Sequence, residues 1–196
     1  MRKKNIVTVN IKYPQGQSKS YLMEKYEKFC FKKFDKIYLF SKREIRLMNN
    51  FKKKIFQLNF GVDKFNKKFK FSKKNNKIIF IGDKKYLPNK EACKHFAKKI
   101  FPNIIKINPN IQFHIIGEIS KSDKLLFEKN KSIYVHGKVK KLDPIITKSF
   151  CGLANLSVST GIQTKILTYM SYGLPCISSK NVIKNFDAIN SSNIPF

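Results

Sequence analysis

Three short apolar runs that each stop at a glycine constrain this chain more than any other feature. They are Ile78-Ile79-Phe80-Ile81 before Gly82, Ile111-Gln112-Phe113-His114-Ile115-Ile116 before Gly117, and Ile133-Tyr134-Val135-His136 before Gly137. Continuous apolar runs closed by a turn residue suit strands buried on both faces. Between the first two runs, Pro88-Asn89 opens a helical pattern with Ala92, Cys93, Phe96, Ala97, Ile100 and Phe101 on one side. A further strand is expected at 153–158 and a helix over 162–172, with Ile162, Ile166, Tyr169 and Met170 on one side. Gly173-Leu174-Pro175 then turns into a last strand at Cys176-Ile177-Ser178. Strands alternating with helices specify an α/β fold, a doubly wound parallel sheet. Ligands of such sheets sit outside the carboxyl ends of the strands, so the loops at Gly82, Gly117, Gly137 and 159–161 should line one crevice. The chain has no G-x-G-x-x-G fingerprint and no Walker A loop, which argues against NAD enzymes and P-loop NTPases.

The first third reads less regularly. A weak strand at 5–11 is broken by Tyr13-Pro14-Gln15-Gly16, and from Ser20 a helix is expected with Leu22, Tyr26, Phe29, Cys30 and Phe34 along one side. Ile37-Tyr38-Leu39-Phe40 and Ile55-Phe56-Gln57-Leu58 read as strands. Ser41 is placed to cap the helix containing Glu44, Ile45 and Leu47. Residues 64–77 form a lysine-rich connection with little periodicity. The expected division is therefore 1–63 and 64–196.

Charge is the next constraint. The 196 residues carry a formal net charge of +29, from 41 basic and 12 acidic side chains. That excess suggests nucleic acid, an anionic membrane or a phosphorylated ligand. Yet only Arg2, Arg43 and Arg46 are arginine, the residue favoured for bidentate phosphate and guanine contacts. Lysine, asparagine, isoleucine and phenylalanine are abundant together, as AT-rich coding produces. A basic nucleic-acid-binding module is accordingly an alternative that rests on charge alone. Cys30, Cys93, Cys151 and Cys176 are scattered without metal-ligand spacing, so neither a metal site nor a disulfide framework is expected. His95, His114 and His136 are isolated in the sequence and read as structural or surface residues.

The segment richest in chemistry runs from Ser159 to Pro175. A strand ends at small polar residues, Gly161 lets a ligand approach the backbone, and a helix begins whose free N–H groups suit a phosphate. Thr160 is the expected N-cap, Lys165 adds a point charge for a diphosphate, and Thr168 shares its face. An ordinary capped helix with an exposed lysine fits the same residues.

The run Gly161-Ile162-Gln163-Thr164-Lys165-Ile166-Leu167, followed by Tyr169-Met170-Ser171-Tyr172-Gly173-Leu174-Pro175, resembles the donor-site signature of group 1 (family 4) glycosyltransferases. Phe80-Ile81-Gly82 with Tyr86, Pro88 and Asn89, and Tyr134-Val135-His136-Gly137-Lys138-Val139, are similar to earlier donor-domain strands and loops. Phe34-Asp35-Lys36-Ile37 with Ser41 and Glu44, then Gly61-Val62-Asp63, resembles the end of the acceptor domain and the crossover. The resemblance spans roughly residues 25–180. It implies a GT-B architecture of two Rossmann-like domains, with retaining transfer of sugar from a nucleotide-diphosphate sugar and no bound metal or other cofactor. It also implies that Gly82 and Lys165 meet the diphosphate, that Gly117, Lys138 and Val139 border the nucleotide, and that Thr160, Gly161, Ile162 and Gln163 lie near the donor sugar.

Two departures accompany the resemblance. Thr160 and Thr168 stand where the family often has two glutamates, the second commonly bonding the ribose. The chain is also expected to hold only the tail of the acceptor domain (1–63) and an incomplete donor domain (64–196), which leaves the catalytic residues unknown. Expected partners are a nucleotide-diphosphate sugar and a glycan or lipid-linked acceptor of cell-surface polysaccharide or glycolipid synthesis. Cytoplasmic residence is expected; the apolar side of the helix at 20–34 packs on the domain interface in the preferred reading, and peripheral contact with an anionic membrane is the alternative. A non-catalytic remnant that keeps the fold is the other alternative.

Overall fold

The computed structural model describes residues 19–40, 42–58, 72, 74–159 and 161–186. The strand expected at 5–11, the Ser41 cap, Thr160 and the proposed domain boundary lie outside these residues. The amino-terminal part comprises α1 (Lys19–Lys33), β1 (Ile37–Leu39), α2 (Lys42–Leu47), a short 3-10 turn and β2 (Ile55–Gln57). β1 and β2 pair in parallel, with Ile37 opposite Ile55. Phe31 stacks on Phe51 at 5.0 Å between ring centroids, joining α1 to the 3-10 turn.

The larger part contains β3 (Lys77–Ile81), α3 (Leu87–His95), α4 (Phe101–Ile107), β4 (Gln112–Ile116), α5 (Lys121–Glu128), β5 (Ile133–Gly137), α6 (Asp143–Ile146), β6 (Ser149–Ala154), α7 (Thr164–Ser171), β7 (Cys176–Ser178) and α8 (Lys180–Ile183). Its five strands run parallel in the order β5-β4-β3-β6-β7. This is the α/β sheet expected from the alternation of apolar runs and helical patterns. On one face Ile78, Phe80, Phe113, Ile115 and Ile133 pack against Phe96, Phe101 and Phe127. Phe96, Phe101 and Phe113 form a ring cluster with centroids 4.8–5.9 Å apart. Each such buried ring contributes about 2–3 kcal/mol of transfer free energy. On the other face Ile79, Ile146, Tyr169 and Leu174 make a smaller core.

Several sequence expectations need correction. The expected strand at 153–158 lies earlier, as β6, because the small buried residues Ser149, Cys151 and Gly152 do not read as a strand. Leu156 is still fully buried, but off the end of the strand. Helix α5 was not expected, although its signal was present: Ser120 Oγ accepts from the Asp123 amide at 3.1 Å and donates to Asp123 Oδ2 at 2.8 Å. Asp123 also pairs with Lys90 at 2.7 Å, binding α5 to α3. Met170 is exposed rather than packed with Ile166 and Tyr169.

His114 and His136, isolated in the sequence and read as structural or surface residues, meet across two strands. The register that places His114 opposite Tyr134 brings His114 Nδ1 within 2.7 Å of His136 Nε2, while His114 Nε2 lies 3.0 Å from Gln112 Oε1. Tyr134 stacks on His114 at 4.8 Å. Burial, then the neighbouring His136 and Lys77, pushes His114 down to about 4. His114 is thus neutral at pH 7, burial also lowers His136, and the pair stitches β4 to β5 on the sheet face opposite the phenylalanine cluster. Parallel pairing across a crossover created it. Local spacing could not.

Candidate active site

In the order β5-β4-β3-β6-β7, successive connections leave β3 in opposite directions, so the chain reverses its winding between β3 and β6. Loops diverge there and leave a crevice at the carboxyl edge. β3 pairs with β6 only through Ile79, so the ladder ends before either strand does. Tyr169, fully buried on α7, fills the gap. Its hydroxyl accepts from the Ile81 amide at 3.0 Å and lies 3.3 Å from the carbonyls of Ile79 and Leu153. A Cβ on Gly152 would enter the Tyr169 ring, so the glycine lets α7 lie this close to the sheet. The sequence showed Tyr169 as an apolar-face residue. Its hydroxyl's task appears only once two strands part.

The strand-end glycines converge as expected. The Gly82 amide donates to Ile116 O at 3.0 Å, and the Gly117 amide to Gly137 O at 2.7 Å. Gly117 has φ +118°, and a Cβ there would collide with the Gly82 carbonyl. The two turns pack backbone on backbone, leaving bare main chain at the crevice floor. Lys138 is exposed and Val139 half-buried just beyond Gly137.

Two lysines define the electrostatics. Lys165, in the first turn of α7, is 6% exposed and donates from Nζ to Asn89 Oδ1 at 2.6 Å. Asn89, on α3, passes the connection on through its Nδ2 to Asp83 O at 2.9 Å. This strut joins the starts of α3 and α7 across the switch point. Lys84 is 3% exposed and donates to Gly82 O at 2.6 Å and Ile116 O at 2.7 Å. Both ammonium groups approach the Phe80 ring, Lys165 at 4.1 Å and Lys84 at 5.2 Å from its centroid. Burial pulls each down to about 8. Neither lysine belongs to any ion pair among the described residues. They are hydrogen-bonded but not neutralised.

The other expected site residues are placed as follows. Gly161, Ile162 and Gln163 are half-buried in the loop leading to α7, with Gly161 at φ +66°. Gln163, not Thr160, occupies the N-cap position, and its side chain makes no capping hydrogen bond. Thr168 is half-buried and donates back to the Thr164 carbonyl at 3.1 Å. Sequence reasoning missed Lys84, because nothing local separates it from the other lysines of so basic a chain. It also missed the strut role of Asn89. Among the described residues, no group of three His, Cys, Asp or Glu side chains could hold a metal ion.

The family description "Glycosyl transferases group 1" matches residues 75–191, which covers β3 through α8 and every element of this site. The chain belongs to the group 1 glycosyltransferases. Its parallel sheet with flanking helices matches solved GT-B glycosyltransferases in fold. S. aureus TarM, in a mutant complex with fondaparinux, α-GlcNAc-glycerol and UDP, superimposes with a TM-score of 0.68 at 16% identity, over 85% of this chain and 35% of that one. Anabaena HepE in complex with UDP and glucose gives 0.62 at 7% identity, over 83% and 49%. WaaG, a glycosyltransferase involved in lipopolysaccharide biosynthesis, gives 0.54 at 13% identity, over 87% and 53%. This glycosyltransferase chain thus spans about a third to a half of the structures it resembles. No curated protein sequence matches it.

Proposed function

We propose that this glycosyltransferase chain binds a nucleoside-diphosphate sugar in the crevice between the loops after β3 and β6. We propose further that it serves retaining transfer to a cell-surface polysaccharide or glycolipid acceptor. The observation that carries the reading is the pair of buried, un-neutralised ammonium groups at the carboxyl edge of the sheet. Buried cations are costly unless a counter-charge arrives, and a diphosphate supplies one. In this reading Gly82 and Gly117 offer bare backbone to the diphosphate and nucleotide, with Lys138 and Val139 at the nucleotide's border. Lys165, with Lys84 behind it, compensates the charge on the departing diphosphate. Thr160, Gly161, Ile162 and Gln163 line the sugar, and Thr168 stands at the ribose.

The test is thermal stabilisation of the full chain by UDP, GDP and their sugars. A ligand at one hundred times its Kd adds about 2.7 kcal/mol to stability, which raises the midpoint of a chain this size by roughly 5–10 °C. No rise with any of these nucleotides would refute the proposal. A second reading, nucleotide binding without turnover, is favoured by Thr168, whose hydroxyl is committed to its own helix. Nucleotide binding without any sugar transfer to glycan or lipid acceptors would select it.

The same reading places the chain in the cytoplasm, at times against an acidic membrane. No helix among the described residues is long and apolar enough to cross a membrane. α1, however, exposes Tyr21, Met23 and Phe29 among lysines. Such a helix can lie in an anionic interface. Co-sedimentation with phosphatidylglycerol vesicles is expected at low salt and should be lost at high salt. Absence of binding at low salt would remove the membrane contact.

A further inference from the structure

The loop before α7 is met from outside its own domain. Glu44, half-buried on α2, brings its carboxylate against Gly161: a Cβ built on Gly161 would lie 3.5 Å from Glu44 Oε1 and 4.0 Å from Oε2. In a chain with 41 basic and 12 acidic residues, a carboxylate has cations to choose from almost everywhere. Glu24, Glu118 and Glu128 each take one, and Asp123 takes two. Glu44 is in none of the ion pairs among the described residues, and its carboxylate rests on a bare glycine at φ +66°. The loop that leads to α7 therefore meets a carboxylate at Gly161 and, four residues on, a buried ammonium group at Lys165. Lys84 and Lys165 are buried, whereas Glu44 is half-buried.

This polarity orients a ligand. A carboxylate beside a diphosphate would repel it by about 4 kcal/mol at contact distance and an effective dielectric of 20. The charged part of a nucleoside-diphosphate sugar therefore belongs with the lysines, and its neutral part with the glutamate. An ionised carboxylate only accepts hydrogen bonds, and the donors a sugar offers are hydroxyls. Hydrogen bonds to a charged acceptor are about twice as strong as neutral ones, enough to select among sugars. We propose that Glu44, from the amino-terminal part, is a specificity-determining residue that accepts hydrogen bonds from hydroxyls of the donor sugar at Gly161. This rests on the nucleotide-sugar reading above and adds to it the group that distinguishes the sugar from the bare nucleotide.

Titration calorimetry of the full chain and of Glu44→Gln tests the proposal, with UDP, UDP-glucose, UDP-N-acetylglucosamine, GDP and GDP-mannose as probes. Glu44→Gln is expected to weaken at least one sugar nucleotide tenfold or more, about 1.4 kcal/mol. The matching diphosphate should bind within twofold of wild type, or more tightly. Equal losses for sugar nucleotide and diphosphate would mean that Glu44 merely props the loop, and no loss on any sugar nucleotide would mean that it faces no sugar; either overturns the proposal alone. A wild type that binds none of the probes overturns this inference together with the nucleotide-sugar reading. Glu44→Asp, which keeps the charge on a shorter stem, should fall between wild type and Gln in sugar-nucleotide affinity. If Glu44→Gln does not fold, Glu44→Asp decides: unchanged sugar-nucleotide binding overturns the proposal.

Discussion

Lys165→Met should lower affinity for UDP or GDP about 100-fold at pH 7, equivalent to roughly 2.7 kcal/mol, without a matching loss of stability. Met keeps an apolar stem over Phe80 and deletes the ammonium group. In the unliganded protein two effects oppose each other. Deletion leaves Asn89 Oδ1 without its donor, costing about 1–2 kcal/mol. It also removes a buried cation whose burial pulls it from 10.5 to about 8, a penalty of the order of 3 kcal/mol. The folding balance is therefore near zero or slightly favourable, while the binding term has no compensation.

The pH dependence carries the same sign argument. Between about 8 and 10.5 the unfolded chain holds protons on both lysines that the folded chain has released, so their contribution to stability rises with pH across that window. Diphosphate affinity should run the other way and fall above pH 8, as the ammonium groups become neutral. Titration calorimetry at pH 7 and pH 9, beside a urea melt at each pH, separates the two trends. Lys165→Met binding UDP and GDP within twofold of wild type would reduce Lys165 to a structural strut.

Gly117→Ala should destabilise the fold by about 4 kcal/mol. Two costs combine. At φ +118° an alanine is strained by about 1–3 kcal/mol. Its Cβ also meets the Gly82 carbonyl, main chain that no rotamer change can move. Overpacking of that kind costs another 1–3 kcal/mol. Gly137→Ala is the control. It too has positive φ, at +66°, but a Cβ there meets nothing within 4 Å. Its cost should stay near 1–2 kcal/mol. Urea midpoints for the two variants would test this, and equal midpoints would show that the Gly82–Gly117 approach is not a tight one.

The apolar runs ending at Gly82, Gly117 and Gly137 made the α/β sheet and its carboxyl edge legible before any coordinates. Buried parallel strands must be continuously apolar, and their turns need residues without a Cβ. Helix α5 is legible too, through Ser120 and Asp123, but its apolar pattern is short. Strand β6 was read late because Gly152 and Ser149 owe their identity to Tyr169 and to buried packing, not to strand preference.

The candidate site divides along the same line. Local order determined that Gly161 would precede a helix carrying Lys165, because a strand end, a glycine and a helix start are contiguous in the chain. Tertiary structure alone decided that Lys165 and Lys84, among so many solvated lysines, lose their water. It also decided that His114 meets His136 across two strands, and that Glu44 comes to rest on Gly161. The physical reason is that burial and charge environment are sums over neighbours far apart in sequence. A lysine reads the same in the sequence whether its ammonium group ends in solvent or beneath Phe80.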